Sequence, residues 1–215
     1  MHATRLILVR HGETAWNADT RIQGHTDIAL NDTGRWQAQR VAQALADEPK
    51  AAVYASDLQR AADTARAIAQ AHAPGALAVH THAGLRERAF GHFEGLSFAE
   101  IESQWPDDTQ AWRTRVPDWA PRGGESLLQV RDRIRTTLDA IAAQHLGQQI
   151  VLVAHGGILD MAYRLASGQG MQAPRTWHLG NAAINRLLWT PDSLTLVGWG
   201  DTRHLEQGSL DEQTA

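Results

Sequence analysis

The chain contains no cysteine. That excludes disulfides, thiolate nucleophiles and cysteine-ligated metals, and it fits a reducing, cytoplasmic setting. No apolar stretch approaches the ~20 residues needed to span a bilayer. The opening MHATRLILVR has too short an apolar run for a signal peptide, so none is expected. No sign of charge dominates either: charged residues make up 20% and the net charge is −4. Such a balance gives no reason to expect nucleic acid or a membrane surface as partner, and any anion site must come from local clustering of arginines. Internal repeats and low-complexity segments are also missing. What remains is a chain of 215 residues, 43% hydrophobic, which suits one large domain or a domain with an insertion.

The apolar residues fall into short runs and helical faces. RLILV (5–9) is a continuous apolar run, as in a strand covered on both sides. AAVYAS (51–56), ALAVHT (76–81) and QIVLVAH (149–155) read the same way. Helices are expected over 30–48, 57–73, from Ser97 to about 105, over 125–146 and over 157–166. Ser56 with Gln59, and Ser97 with Glu100, have capping-box spacing. Leu127, Val130, Ile134, Leu138 and Ile141 recur at helical spacing on one face. AAINRLLWT and SLTLVGW look like two final strands, and the tail EQGSLDEQTA is polar and reads as frayed.

Strands alternating with helices imply a three-layer α/β fold, with a mostly parallel central sheet and helices on both faces. Residues 82–124, rich in proline and tryptophan, are too irregular for an ordinary connection. They read as a cap inserted into a single domain spanning 1–215. Trp105, Trp112 and Trp119 recur every seven residues, but Pro106, Pro117 and Pro121 forbid a continuous helix, so packing within the cap is the expected role. The tryptophans also permit a homodimer.

Two strands end alike: LILVRHG with Arg10-His11-Gly12, and IVLVAHGG with His155-Gly156-Gly157. In parallel sheets ligands bind beyond the carboxyl ends of the strands. If these strands are neighbours, both imidazoles enter one crevice. Gly12, Gly156 and Gly157 let backbone N–H groups approach a ligand, and a helix N-terminus favours an anion. An arginine, two histidines and free amides suit a phosphoryl group. Arg60 sits near a helix N-terminus, where the macrodipole disfavours a cation; a bound anion would remove the conflict. His80 and His82 share a strand face without a third ligand, so no metal site is expected. Arg86 and Arg88 read as solvated charge, and His25 and His92 as rim residues.

These residues resemble the histidine phosphatase superfamily, also called phosphoglycerate mutase-like. RHGETAWN (10–17), RIQGHTDIALNDTG (21–34), SDLQRAADTA (56–65), LRERAFGHFEG (85–95), GGES (123–126) and VAHGG (153–157) look like family blocks in family order. The resemblance implies that His11 is the nucleophile, taking the phosphoryl group as phosphohistidine. It implies that Arg10, Arg60 and His155 clamp the phosphate oxygens and that Glu87 is the general acid. Asn17 and Gln23 fall where the family places further phosphate-pocket side chains, with Gly24 beside them and Gly156 at the second strand end. No metal or cofactor is implied, since arginines neutralise the oxygens.

The family contains phosphatases and mutases. A mutase must exclude water and hold a carboxylate with extra cations, and it would use 2,3-bisphosphoglycerate. The chain is short for that branch. Its cap offers Arg113, Arg115 and Arg122 but no lysine, and RGGES resembles a segment common among the phosphatases. The expected activity is therefore hydrolysis of a small phosphomonoester. Phosphoglycerate mutation is the alternative, and a non-catalytic module on the same fold is the remote one. Sugar phosphates, phosphoserine, α-ribazole phosphate and phosphoglycerates are all compatible substrates.

Overall fold

A computed structural model describes residues 3–206. The strands are β1 (Thr4–Arg10), β2 (Ala52–Ala55), β3 (Val79–Thr81), β4 (Gln149–Ala154), β5 (Ile184–Thr190) and β6 (Ser193–Asp201). They form one sheet in the order β3-β2-β4-β1-β5-β6. β4 runs parallel to both β1 and β2, and β2 parallel to β3, while β5 is antiparallel to β1 and to β6. The mixed α/β architecture and mostly parallel sheet are those expected, and the final two strands form an antiparallel pair.

The strand period divides the core. Leu6 and Leu8 of β1, with Ile150 and Leu152 of β4, face α6 (Leu127–Ala142) and α7 (Gly156–Ser167). Ile7 and Val9, with Val151 and Val153, face α2 (Asp32–Ala44) and α3 (Gln59–Gln70). Alternate residues therefore pack against opposite helix layers, which is why these runs are apolar without interruption.

Three local expectations fail. α3 starts at Gln59, with Leu58 in the N-cap position and no side-chain cap. The Ser56 hydroxyl instead accepts from Leu58 N (3.2 Å), and Gln59 N donates to Asp27 Oδ1 (2.8 Å). A remote carboxylate thus replaces the local capping box, while Leu58 is buried. β3 covers only 79–81, because its partner β2 offers only Val53–Ala55 for pairing. Within 106–124 a helix, α5 (Pro106–Arg113), does form. Pro106 occupies its first position, where proline loses no hydrogen bond, and Asp107 and Asp108 complement the macrodipole.

The Ser97–Glu100 capping box is present and opens α4 (Phe98–Gln104). In the cap, Phe93 is fully buried. Trp105, Trp112 and Trp119 gather round it at ring distances of 5.8, 5.6 and 6.1 Å. The recurring tryptophans are cap packing. Among the described residues, no helix is long and apolar enough to cross a membrane. The polar tail beyond Glu206 lies outside the described residues.

The turn after β1 is held against α2 by two glycines. A Cβ at Gly34 would lie 1.9 Å from the Glu13 carbonyl oxygen, and one at Gly12 would lie 2.3 Å from that of Gly34. Backbone cannot yield as a flexible side chain can. Gly34→Ala should therefore destabilise the fold by about 1–3 kcal/mol, the usual cost of overpacking. Thermal denaturation checks this, and an unchanged Tm would contradict the close approach.

Candidate active site

β1 and β4 lie side by side with Arg10 opposite Ala154. His11 N continues the ladder by donating to Ala154 O at 3.0 Å. His11 and His155 therefore emerge at the same sheet end, with ring centroids 5.1 Å apart. Both are buried, at 3% and 0% exposure, so neither is a solvated rim residue. His155 stands at the N-cap of α7, whose first residue is Gly156.

His11 Nδ1 lies 2.6 Å from the Gly12 carbonyl oxygen. A carbonyl only accepts, so Nδ1 carries the hydrogen and Nε2 keeps its lone pair. Burial, and then the charges of Arg10 and Arg60, push the His11 pKa well below the usual value. Burial and then Arg60 do the same at His155. Both rings are neutral near pH 7.

Arg60, the second residue of α3, is 1% exposed. It donates to Gly24 O (2.8 Å) and Thr26 O (3.0 Å). Those carbonyls are held by Glu94, whose carboxylate accepts from His25 N (3.0 Å), Thr26 N (2.9 Å), Thr26 Oγ1 (2.7 Å) and Phe90 N (3.0 Å). Gly24 has φ +53°, and a Cβ there would sit 2.1 Å from Glu94 Oε1. Arg10 donates to Leu179 O. Thr64 joins α3 to the turn, accepting from Gly12 N (3.1 Å) and donating to Arg60 O (2.8 Å).

Glu87 reaches the same place from the loop after β3. Its Oε2 accepts from Gly157 N (3.0 Å) and its Oε1 from Arg88 N (2.8 Å). A Cβ at Gly157 would lie 2.5 Å from Oε1, so the carboxylate needs that glycine. His25 Nε2 bonds the Glu87 carbonyl at 2.8 Å. Arg86 is occupied elsewhere, pairing with Asp57 at 2.5 Å. Arg88 is not the solvated charge expected: it is 5% exposed, donates from Nε to Glu125 O (2.8 Å) and stacks over Phe90.

Asn17 Oδ1 accepts from Thr14 N (3.1 Å) within the capping box that opens α1 (Ala15–Ala18). It also accepts from Asn181 Nδ2 (3.4 Å), the group that donates to His11 O (2.9 Å). Gln23 is buried, and its Oε1 has no hydrogen-bond partner among the described residues. The same holds for Arg10 Nε, Arg60 Nε and both ring nitrogens of His155. Buried polar atoms are normally paired, so this concentration marks a candidate site for a polar ligand. A Cβ at Gly156 would meet Arg10 at an ordinary 3.6 Å. His92 packs in the cap against Phe93 and Trp105. His80 packs on Tyr54, and His82 Nδ1 accepts from Gly84 N (3.0 Å).

The structure thus brings His11, His155, Arg10, Arg60, Glu87, Gln23 and Gly24 to one sheet end. Glu94, Thr64 and Asn181 were not expected there. Their partners are remote in sequence, and no local spacing marks them. A cavity of about 410 Å³ opens beside this cluster, bounded by Arg10, Gly156, Gly157, Arg88, Phe90 and Arg115. Of the cap arginines, Arg113 instead pairs with Glu102 at 2.7 Å.

Residues 6–202 match the model of the histidine phosphatase superfamily (branch 1). The chain is 42% identical to phosphoglycerate mutase-like protein 4 of Arabidopsis thaliana, covering 94% of this chain and 87% of that protein. It is 38% identical to the metal-independent phosphoserine phosphatase of Arabidopsis thaliana, over 94% and 83%. It is similar to the crystal structure of phosphoserine phosphatase from Entamoeba histolytica in complex with 3-phosphoglyceric acid. The TM-score there is 0.82, with 31% identity and 94% and 99% coverage. The chain belongs to the histidine phosphatase superfamily.

The depressed histidines give a pH prediction. Below about pH 6.5 the unfolded chain binds protons at both imidazoles that the folded chain refuses. Their contribution to stability is therefore present above that pH and is lost as pH falls. An NMR titration should show both rings still neutral at about pH 6.5. A midpoint near the ordinary 6.5 at either ring would contradict the burial.

Proposed function

We propose that the protein is a metal-independent phosphomonoesterase acting on a small phosphorylated metabolite through a phosphohistidine on His11. The observation that carries this is the neutral His11 ring, fixed by Gly12 O beside two guanidiniums and Glu87. Nε2 attacks phosphorus in line with the leaving oxygen, forming the N–P bond as the P–O bond breaks. Arg10, Arg60 and His155 hold the non-bridging oxygens, where charge must be stabilised. Glu87 gives its proton to the leaving oxygen, which departs as an alcohol. Water then attacks the phosphohistidine and returns its proton to Glu87, releasing phosphate and neutral His11. Gln23 and Asn17 border the phosphate pocket, and no cofactor takes part. The absence of cysteine supports a cytoplasmic setting. Residues 1–215 act as one domain with the cap inserted.

The name of the phosphoserine phosphatase relative supports hydrolysis. The name of the mutase-like relative, and the arginines beside the pocket, favour phosphoglycerate mutation as the second reading. A panel of phosphomonoesters assayed in EDTA, with and without 2,3-bisphosphoglycerate, decides. Phosphate release that ignores both additions is expected. Phosphoryl shift dependent on 2,3-bisphosphoglycerate would establish the mutase, and EDTA inactivation reversed by Mg²⁺ or Zn²⁺ would refute metal independence. A folded protein inert towards every ester would be a binding module.

Glu87→Gln tests the acid. An alkoxide leaves unprotonated far less readily than p-nitrophenolate. The variant should therefore lose about 10²–10⁴-fold in kcat/KM on an alkyl phosphate and much less on the aryl ester. Equal, small losses on both would remove Glu87 from the reaction.

A further inference from the structure

Two peptide planes meet at Gly12, and side chains from distant elements hold both. The His11–Gly12 peptide is gripped at each end. Its carbonyl oxygen, His11 O, accepts from Asn181 Nδ2 (2.9 Å), and its amide, Gly12 N, donates to Thr64 Oγ1 (3.1 Å). In a trans peptide these two groups point opposite ways, so the grips come from opposite sides and fix the plane. The Gly12–Glu13 peptide follows. Its amide, Glu13 N, donates to Gln37 Oε1 (2.8 Å), and its carbonyl oxygen, Gly12 O, lies 2.6 Å from His11 Nδ1.

Each grip is itself set. Thr64, fully buried on α3, gives its hydroxyl hydrogen to Arg60 O (2.8 Å), so towards Gly12 N its Oγ1 can only accept. Asn181 Nδ2 turns its hydrogens to two oxygens, His11 O and Asn17 Oδ1 (3.4 Å), which sets the end of the amide that faces the turn. The next residue, Ala182, stands at φ +54° and donates its N–H to Arg10 O (3.0 Å). Left-handed backbone is costly for alanine and persists where the surroundings impose it. Gln37 lies on α2 three residues beyond Gly34, whose backbone abuts Glu13. None of the three side chains holds a guanidinium: Arg60 is kept by Gly24 O and Thr26 O, and Arg10 by Leu179 O.

We infer that Thr64, Asn181 and Gln37 are positioning residues for His11: by fixing both peptides at Gly12 they aim its carbonyl at Nδ1, and so select the tautomer and the direction of the ring. An imidazole with its hydrogen on Nδ1 keeps a lone pair at Nε2, the atom that has to attack, and the other tautomer has none there. Only glycine fits at position 12, because a Cβ would lie 2.3 Å from Gly34 O. Glycine is also the residue with the freest backbone, so an ungripped carbonyl would swing away from the ring. The three side chains supply the rigidity that the close approach removes. The inference rests on the reading of His11 as nucleophile, and its first readout is independent of turnover.

The test records the imidazole nitrogen and Nδ1–H signals of His11 by NMR, assigned by their absence from His11→Ala. Beside them it measures kcat on p-nitrophenyl phosphate and the calorimetric affinity for inorganic phosphate. Wild type should show a protected Nδ1–H proton and a bare Nε2. Thr64→Val, Gln37→Leu and Asn181→Leu should each weaken that proton signal and lower kcat by about tenfold or more, as misaimed reacting groups do. Phosphate affinity should stay within about twofold, because the guanidiniums keep their own acceptors. Thr64→Ser and Gln37→Glu retain an accepting oxygen and should restore both the signal and kcat. Gln37 and Asn181 are only partly buried, so their variants keep the fold if Thr64→Val does not. A signal and a kcat unmoved by all three substitutions would overturn the inference. So would a fall in kcat with the signal intact that the conservative variants fail to restore. An Nδ1–H signal present in wild type and lost in the variants, without turnover of any ester by wild type, would leave the positioning standing and remove the phosphatase reading.

Discussion

Positive charge buried without a matching carboxylate is the constraint around which this site is built. Arg10 and Arg60 lie with two imidazoles where β1 and β4 end. Burying cations is costly unless they are paired or hydrogen-bonded. Here the pairing is with carbonyl oxygens of Gly24, Thr26 and Leu179. Carbonyls hold a guanidinium in place without neutralising it. Burial, and then this excess charge, keep both histidines neutral, and the arrangement suits an anion. Glu87 is the largest favourable influence on both arginines.

The rest of the architecture keeps that charge in position. Glu94 supports the carbonyls that bind Arg60 and takes its bonds from backbone amides and Thr26. Close approaches of backbone do the rest. Gly12 against Gly34 seats the turn that carries His11, Gly24 against Glu94 seats the Arg60 acceptors, and Gly157 admits Glu87. A methyl group at these places would push on the turn that carries His11, on the Glu94 carboxylate or on the Glu87 carboxylate.

Much of this was legible in the sequence because it is written locally. The strand–His–Gly repeats at 5–12 and 149–157 mark two strand ends, while their adjacency comes from the β2-β4-β1 order of the folded sheet. Arg60 stood out because it breaks a helix rule within its own turn. What was hidden depends on partners far along the chain. α3 begins where Asp27 meets Gln59 N, 32 residues away, so Ser56 misled. Arg88 is drawn inward by Glu125, 37 residues on, so its charged neighbours suggested solvent wrongly. Pro106 read as a breaker because sequence alone does not say whether a proline sits inside a helix or at its first residue.

The central claim is that the neutral Nε2 of His11 attacks phosphorus. Rapid quenching during turnover of a phosphate-labelled ester, followed by peptide mapping, tests it most directly. The account predicts acid-labile label on His11, formed within the time of one turnover and absent from His11→Ala. Label on a serine or an aspartate, or burst-free turnover by His11→Ala at the wild-type rate, would contradict it.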